Sequence, residues 1–241
     1  EIGVRLVGSE MCIRDRNTFD MKQEFTVLFD LDGTLIDTAP DLITAHNHVM
    51  KKFGYPTKTL GELKNAVGKG AKAMMAKANG QWKWFDEKIQ NEMTDEFLSF
   101  YGKNIYNKST LIHGVKEFLN WCKDEKISMA VCTNKTEYLA VDLLKKIGIY
   151  DYFEYVAGYN TFDYCKPDPR HLTTVIEILD GDLKKSIMIG DSETDANSAK
   201  AADIPMILLK YGYTEKKSDE IYHNHLVKDF VGIEKIISEK I

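Results

Sequence analysis

Long apolar runs, paired cysteines and an excess of basic residues are all missing from this chain. None of its apolar stretches approaches the roughly 20 residues that cross a bilayer. The 4 cysteines among the 241 residues are widely spaced and include no Cys-x-x-Cys pair. This spacing excludes a disulfide scaffold and favours a reducing compartment. We therefore expect a cytoplasmic protein that has no membrane partner.

The charge balance and the histidines exclude two further classes of function. Lys and Arg number 32 against 37 Asp and Glu, so the net charge is -5, whereas a nucleic-acid-binding protein is expected to carry a basic face. His46 and His48 diverge on the helix predicted around them. His223 and His225 have no acid or cysteine at ligand spacing. We predict neither a nucleic-acid partner nor a histidine metal site.

What the chain does contain is a pair of carboxylates at the end of an apolar strand. The run 25–29 leads directly into Asp30 and Asp32, which are followed by Gly33 and Thr34. Side chains two apart on a strand point the same way, so both carboxylates can address one substrate atom. Asp and Gly are also ordinary turn formers, so the pair is informative only together with other motifs.

Further polar groups follow in a fixed order, at the ends of two more apolar runs and in a rigid Lys-Pro-Asp-Pro segment. In open α/β sheets, ligands bind at the carboxyl ends of the strands, where segments that are distant in sequence meet. We therefore predict one site that combines the aspartate pair with Thr133, Asn134, Lys166, Asp191 and Asp195.

Apolar runs and helical patterns alternate along the body of the chain, which is typical of a parallel sheet with helices on both faces. A short strand or loop at 227–230 precedes a terminal helix. The pattern predicts a doubly wound α/β fold with a Rossmann-like core, whose strands lie at about 24–29, 127–132, 154–158, 186–190 and 205–209.

Strand signals disappear between Asp37 and about Thr110, where the periodicity is helical. The predicted helices are separated by turns that contain Gly or Pro, and they cover 40–53, 59–66, 71–78 and 85–100. Their apolar side is expected to pack as a core and consists of Met74, Met75, Trp82, Trp84, Phe85, Phe97 and Phe100. The sequence thus predicts an all-helical unit inserted into the α/β fold.

The first twenty residues fit neither a signal peptide nor a helical period. Residues 11–16 resemble a peptide that arises from read-through of sequencing adaptors, so Met21 is the expected natural start. A genuine extension is the alternative. We expect residues 1–20 to be a non-native or disordered leader.

The ordered motifs resemble those of the haloacid dehalogenase superfamily, in its phosphatase branch, from Met21 to the C-terminus. Softer marks at 37–42, 67–70 and 211–213 are similar to the phosphoglycolate phosphatases within that superfamily. The first aspartate pair disfavours a dehalogenase, because the resembling dehalogenases lack the second acid.

The resemblance implies two domains. Residues 21–38 and 110–241 are expected to form the α/β catalytic core, and residues 39–109 a helical cap that folds over the site. Hinges are expected near 37–40 and 108–114.

The resemblance also implies a role for each motif residue. Asp30 is expected to attack phosphorus and form an aspartyl phosphate, with Asp32 as general acid and base. Mg²⁺ is expected to bind the side chains of Asp30 and Asp191 and the carbonyl of Asp32, with Asp195 as a supporting acid.

Two roles concern the phosphoryl group itself. Thr133 and the Asn134 amide are expected to bind phosphoryl oxygens, and Lys166 is expected to offset the charge between the phosphate and Asp30. Taken singly, each of these residues is also an ordinary strand-end or surface residue.

The organic half of the substrate is expected to be read by the cap. We predict 2-phosphoglycolate as substrate, with Lys69, or Lys72 as the fallback, pairing with its carboxylate beside a glycine-rich turn. Solvated lysines are the alternative there. A sugar-phosphate phosphatase, a pyrophosphatase, a phosphoglucomutase and a catalytically silent phosphometabolite sensor remain rivals. We expect a monomer or homodimer that binds a small phosphorylated metabolite.

Overall fold

Eight strands and nine α-helices are present in the computed structural model within the residues that it describes, 25–63, 66–68, 70–77, 86–214 and 216–240. The strands are β1 (Thr26–Phe29), β2 (Ile36–Asp37), β3 (Thr110–Leu111), β4 (Ser128–Cys132), β5 (Tyr155–Ala157), β6 (Ser186–Gly190), β7 (Met206–Leu209) and β8 (His225–Val227). The helices are α1 (Ala39–Phe53), α2 (Leu60–Leu63), α3 (Ala71–Lys77), α4 (Glu87–Lys103), α5 (Val115–Asp124), α6 (Glu137–Ile147), α7 (Arg170–Ile178), α8 (Glu193–Ala201) and α9 (Ile233–Ser238).

Six of the strands form one parallel sheet in the order β5-β4-β1-β6-β7-β8. The central strand β1 pairs with β4 on one side and β6 on the other, with Phe29 opposite both Val131 and Ile189. The chain first builds the sheet outward through β4 and β5 and then returns past β1 to build the other half. This reversal is the doubly wound topology that the sequence predicts, and the α/β prediction is confirmed.

Both faces of the sheet are buried, which explains why its strands read as continuous apolar runs. Along β1, Val27 and Phe29 pack into one apolar cluster while Leu28 packs into a second. Cys132 is buried, and Cys165 is partly buried. The final strand lies at His225–Val227, slightly earlier than the predicted 227–230, and α9 follows it.

The first four helices, α1 to α4, lie between β2 and β3 in the chain and are called the helical insertion below. Its second helix is shorter than predicted, and α4 runs to Lys103, beyond the predicted end at Phe100. Met74, Met75 and Phe97 are buried and Phe100 is partly buried, as a packed apolar side requires. The predicted core residues Trp82, Trp84 and Phe85 lie outside the described residues.

A two-stranded antiparallel ribbon joins the ends of the helical insertion, with Ile36 opposite Leu111 in β2 and β3. The sequence analysis missed this ribbon, because two-residue strands carry no readable alternation. The ribbon coincides with the segments in which hinges were predicted. None of the helices in the described ranges combines the length and apolarity that a membrane crossing requires.

Asp41 connects the start of the helical insertion to its end. Its carboxylate accepts hydrogen bonds from the backbone N–H groups of Asn107, Lys108 and Ser109 at 2.8–3.1 Å, and from the Ser109 hydroxyl at 2.7 Å. Burial acts to raise the pKa of Asp41, but these hydrogen bonds outweigh it and hold the pKa below its usual value. Asp41 therefore fixes, as an anion, the two segments through which the helical insertion leaves the sheet.

Candidate active site

Three neighbouring strands deliver polar residues to the same edge of the sheet. Asp30 follows β1, Thr133 follows β4 and Asp191 follows β6, and all three residues are buried. Because β1 lies between the other two strands, its carboxylate is at the centre of the group. The edge is the carboxyl end of the parallel sheet, where ligands bind in this class of fold.

Lys166 joins this group from the loop before α7. Its ammonium lies 2.8 Å from Asp30 Oδ1 and 2.6 Å from Asp195 Oδ1. Burial acts to lower the pKa of Lys166, but the charges of Asp195 and Asp30 outweigh it and raise the pKa above its usual value. Burial raises the pKa of Asp30 to about 7, with the Lys166 charge acting in the opposite direction. A charged lysine therefore lies between two buried carboxyl groups.

Asp191 is oriented by the turn that follows Asp30. Its Oδ2 accepts the Tyr213 backbone N–H at 2.7 Å, and its Oδ1 accepts the Thr34 hydroxyl at 3.3 Å. Gly33, at φ +87°, passes so close that a Cβ there would overlap Asp191 Oδ2. Only glycine satisfies both the backbone angle and the space at this position. Burial and the charges of Asp195 and Asp30 raise the pKa of Asp191 well above its usual value.

Asp195 is held in place by the start of α8. Its Oδ2 accepts the backbone N–H groups of Asp191 and Ser192 and the Ser192 hydroxyl, forming a capping box. Its Oδ1 accepts Lys166. Both oxygens of Asp195 are thus engaged within the protein, and the residue orients Lys166 and the turn after β6.

The cluster has the chemistry of a divalent-cation site. One carboxylate oxygen from each of Asp30, Asp191 and Asp195 lies within 4.8 Å of the others, and all three residues are buried. When ionised, the carboxylates carry two negative charges more than the Lys166 ammonium compensates. Buried oxygen ligands with uncompensated negative charge fit Mg²⁺, which prefers one or two carboxylates together with substrate phosphate.

The second aspartate of the pair faces a different set of partners. Asp32 Oδ1 accepts the Thr38 hydroxyl at 2.6 Å, and the Lys135 ammonium lies 2.9 and 3.1 Å from the two carboxylate oxygens. The same ammonium donates to the Tyr101 hydroxyl, at 2.9 Å, in the last turn of α4. Asp32 is therefore fixed by Thr38 at the start of the helical insertion and by a buried cation.

Sequence reasoning missed both Lys135 and Tyr101. A signal for Lys135 was available, because it directly follows Thr133 and Asn134 and so belongs to the same strand-end turn. Tyr101 gives no such signal, since it lies at a helix end with no motif around it. Only the packing of α4 against the sheet edge brings its hydroxyl to Lys135.

Thr133 and Asn134, the residues predicted to contact the phosphoryl group, form the turn after β4. The Thr133 hydroxyl accepts the Lys135 backbone N–H at 3.2 Å, and the Asn134 amide donates to the Lys166 carbonyl at 2.9 Å. Asn134 Oδ1 is buried and has no hydrogen-bond partner within the part of the chain that the structure describes. This turn therefore connects the loops of Lys135 and Lys166.

Of the two lysines predicted to read the substrate, the structure describes one. Lys72 is exposed on α3. Lys69 lies outside the described residues. A small cavity of about 40 Å³ does lie between the helical insertion and the sheet edge, and Asp32, Gly68, Gly70, Tyr101 and Lys135 are among its lining residues.

Comparison with known proteins places the chain in a family. A family model described as haloacid dehalogenase-like hydrolase matches residues 27–209. A phosphoglycolate phosphatase of Agrobacterium fabrum is 36% identical over 215 residues, covering 89% of this chain and 92% of that protein. A phosphoglycolate phosphatase of Caulobacter vibrioides is 32% identical, covering 87% and 89%. The crystal structure of a predicted phosphoglycolate phosphatase from Haemophilus somnus has a TM-score of 0.83 at 28% identity, covering 90% of this chain and 99% of that one. The chain belongs to the haloacid dehalogenase-like hydrolase family.

Proposed function

We propose that this chain is a phosphoric monoester hydrolase whose substrate is 2-phosphoglycolate. Relatives with the name phosphoglycolate phosphatase match it at 36% and 35% identity over 92% and 95% of their own length. The observation that carries the chemistry is the buried cluster of Asp30, Asp191, Asp195 and Lys166 at the carboxyl edge of the sheet. This cluster combines a nucleophile with the charge compensation that a phosphoryl group requires.

Asp30 is the nucleophile in this proposal. Its carboxylate oxygen attacks phosphorus, and the bond between phosphorus and the ester oxygen breaks. Asp32 donates a proton to the departing oxygen. It then accepts a proton from the water that attacks the aspartyl phosphate, which releases phosphate and restores Asp30. Thr38 and Lys135 hold Asp32 in one orientation for both proton transfers.

The remaining residues of the cluster compensate charge. In this proposal Lys166, whose ammonium lies 2.8 Å from Asp30 Oδ1, contacts the phosphoryl oxygens as the new bond forms. The Thr133 hydroxyl and the Asn134 amide supply hydrogen-bond donors to the same oxygens. Asp195 acts as a positioning residue, because both of its oxygens are already engaged.

Mg²⁺ would bind the side chains of Asp30 and Asp191 together with the Asp32 carbonyl. When bound, it supplies positive charge that stabilises the transferring phosphoryl group. Asp195 would not bind the ion directly but orients the neighbouring groups, because it accepts hydrogen bonds from Lys166 and from the backbone N–H of Asp191.

Residues 39–109 act as a cap in this proposal, and residues 21–38 with 110–241 form the catalytic core. Gly70 is the observation that supports closure over the site, since a Cβ on this residue would lie 3.5 Å from the Asn134 carbonyl. Closure excludes bulk water from the phosphoryl-transfer step.

The proposal is tested by a panel of phosphorylated substrates at fixed Mg²⁺. We expect kcat/KM for 2-phosphoglycolate to exceed that for glucose 6-phosphate, β-glucose 1-phosphate and pyrophosphate by at least about tenfold, corresponding to one charge-assisted contact. EDTA should abolish turnover, and added Mg²⁺ should restore it.

The same panel separates the rivals. A preference for a sugar phosphate or pyrophosphate would replace the substrate, and conversion of β-glucose 1-phosphate to glucose 6-phosphate would indicate a mutase. Binding of phosphorylated acids without any Mg²⁺-dependent turnover would indicate a sensor. Full activity after removal of divalent ions would overturn the metal site.

A further inference from the structure

Lys135 is a buried lysine, and its role in orienting Asp32 does not account for all of its contacts. Its side chain is 5% exposed, and its ammonium contacts the Asp32 carboxylate and the Tyr101 hydroxyl. The ammonium also lies 4.5 Å from the centroid of the Tyr101 ring. Holding Asp32 requires one carboxylate contact, which Thr38 already supplements. The additional pairing with a residue of the helical insertion points to a second role.

The Tyr101 hydroxyl is a donor without an acceptor. Tyr101 is 1% exposed, and its oxygen accepts from Lys135. In the described part of the chain, its own proton goes to no hydrogen-bond acceptor. Burial, with the charges of Asp32 and Asp41, raises the pKa of Tyr101 well above its usual value, so the hydroxyl keeps this proton. Because a cation on its oxygen polarises the hydroxyl, the O–H is a stronger donor toward an anion.

Lys135 and Tyr101 both line the cavity between the helical insertion and the sheet edge. Much of the remaining wall is apolar and comes from Leu42, Met74, Phe97, Leu98 and Leu139. Among the described residues that line this cavity, Lys135 is the one with a positive charge. A small anion entering here would share the Lys135 ammonium with Asp32 and accept the Tyr101 hydroxyl proton, in largely apolar surroundings where such contacts are strong.

The position of the pair relative to the reaction selects the kind of anion. Asp32 acts on the ester oxygen in the proposed mechanism, so groups bound to Asp32 lie on the organic side of the bond that breaks. In 2-phosphoglycolate a single methylene separates that oxygen from the carboxylate.

We propose that Lys135 and Tyr101 bind the carboxylate of the substrate and determine its specificity. The inference rests on the proposed function and assigns the specificity contact to the strand-end turn and α4, rather than to Lys69 or Lys72. Two charge-assisted contacts in one cavity would then distinguish 2-phosphoglycolate from a phosphate ester of the same length that lacks the carboxylate.

The test compares two substrates that differ in this one group, 2-phosphoglycolate and 2-hydroxyethyl phosphate. The quantity measured is the ratio of their kcat/KM values in wild type, Lys135→Met, Tyr101→Phe and Lys69→Met. Lys145→Met is the matched control, because Lys145 is exposed and its ammonium lies 4.8 Å from the Tyr150 ring centroid. We expect wild type to prefer 2-phosphoglycolate.

Lys135→Met should reduce this ratio by about tenfold or more, and Tyr101→Phe by roughly threefold to tenfold. Lys145→Met should retain it. Lys135→Met also removes a partner of Asp32, so both substrates are expected to slow, but that effect cancels in the ratio. If Lys135→Met does not fold, Tyr101→Phe tests the same site while the lysine is kept.

Each contrary outcome rejects a different statement. A wild-type ratio near one rejects 2-phosphoglycolate as the substrate, and the carboxylate site with it. A high wild-type ratio that survives in both Lys135→Met and Tyr101→Phe rejects the carboxylate site alone. Collapse of the ratio in Lys69→Met, with the other variants unchanged, returns the specificity contact to the glycine-rich turn.

Discussion

The two buried lysines of the active site differ in which parts of the fold supply their partners. Lys166 lies between Asp30, which follows β1, and Asp195, in the first turn of α8. Lys135 lies between Asp32, from the sheet, and Tyr101, from the helical insertion. Lys166 with its two carboxylates is called the Lys166 centre, and it lies entirely within the α/β part of the fold. Lys135 with Asp32 and Tyr101 is called the Lys135 centre, and it forms only where the helical insertion contacts the sheet edge.

The two centres have different roles in the proposed function, one in attack on phosphorus and the other in substrate specificity. In the proposed mechanism, the nucleophile Asp30 and its charge-compensating lysine belong to the Lys166 centre, whereas Asp32, which transfers the proton, belongs to the Lys135 centre. Groups that sense the organic part of the substrate belong to the Lys135 centre, which a different insertion would change. Substitutions at the two centres should accordingly produce different phenotypes.

The largest effect is expected at the Lys166 centre. Asp30→Asn should lower kcat by at least about a thousandfold for every substrate, because the amide keeps the shape of the side chain and loses its nucleophilic charge. Steady-state kinetics with 2-phosphoglycolate and an aryl phosphate measure the loss, and an unchanged circular dichroism spectrum controls for folding. Substantial turnover by this variant would remove Asp30 from the nucleophile role.

The stability of the two centres should differ in the same order. Lys166→Met leaves two buried carboxylates without their cation and should lower the free energy of unfolding by about 3–5 kcal/mol. Lys135→Met leaves one carboxylate, which keeps the Thr38 hydroxyl, and should lower it by about 1–3 kcal/mol. Urea unfolding in EDTA at pH 7 gives both values. An equal or larger loss for Lys135→Met would contradict the comparison.

A smaller effect should follow from loosening the helical insertion. Asp41→Asn removes the charge that accepts three backbone N–H groups and one hydroxyl, and should lower the free energy of unfolding by roughly 2–3 kcal/mol. Tyr101 belongs to the same insertion, so the 2-phosphoglycolate preference should fall as well. Asp142→Asn, in an exposed ion pair with Lys146, is the control and should change stability by less than about 1 kcal/mol. Wild-type stability in Asp41→Asn would show that the insertion is held by other contacts.

The smallest effect is a pH dependence on the Lys166 side. Burial, with a contribution from the Lys166 charge, lowers the pKa of His171 from 6.5 to about 3. As the pH falls below about 6.5, His171 is protonated in the unfolded chain but stays neutral in the folded chain. The free energy of unfolding is therefore unaffected by this group well above pH 6.5 and falls as the pH is lowered towards 3. Between pH 7 and pH 5 wild type should lose about 2 kcal/mol more than His171→Leu. The free energies of unfolding are measured by urea unfolding at both pH values. An equal loss between pH 7 and pH 5 in wild type and in His171→Leu would exclude this contribution.

The sequence was sufficient to predict the sheet and the Lys166 centre, for a physical reason. A parallel strand buried on both faces is a continuous apolar run, and its carboxyl end carries the functional residues, so Asp30, Thr133 and Asp191 are readable from position alone. The comparison with family relatives and the parallel six-stranded sheet confirm the fold that this pattern predicts.

The Lys135 centre was not predictable in the same way. Tyr101 and Lys135 are 34 residues apart on different elements, and no local period encodes their contact. The ribbon of β2 and β3 has two residues in each strand, too few for alternation to appear. The lysines beside the glycine-rich turn are visible in the sequence, which is why Lys69 is predicted there, whereas the burial of Lys135 is not visible in the sequence.

The central claim, covalent catalysis by Asp30, is tested most directly by trapping the phosphorylated enzyme. Asp32→Asn should still form the aspartyl phosphate from an activated aryl ester, which leaves without a proton, and should hydrolyse it slowly. We predict a burst of about one equivalent of aryl alcohol per active site, and peptide mass spectrometry after acid quench should locate a hydroxylamine-sensitive phosphoryl group on Asp30. A phosphoryl group on any other residue, or a burst that persists in the Asp30→Asn, Asp32→Asn double variant, would contradict the account.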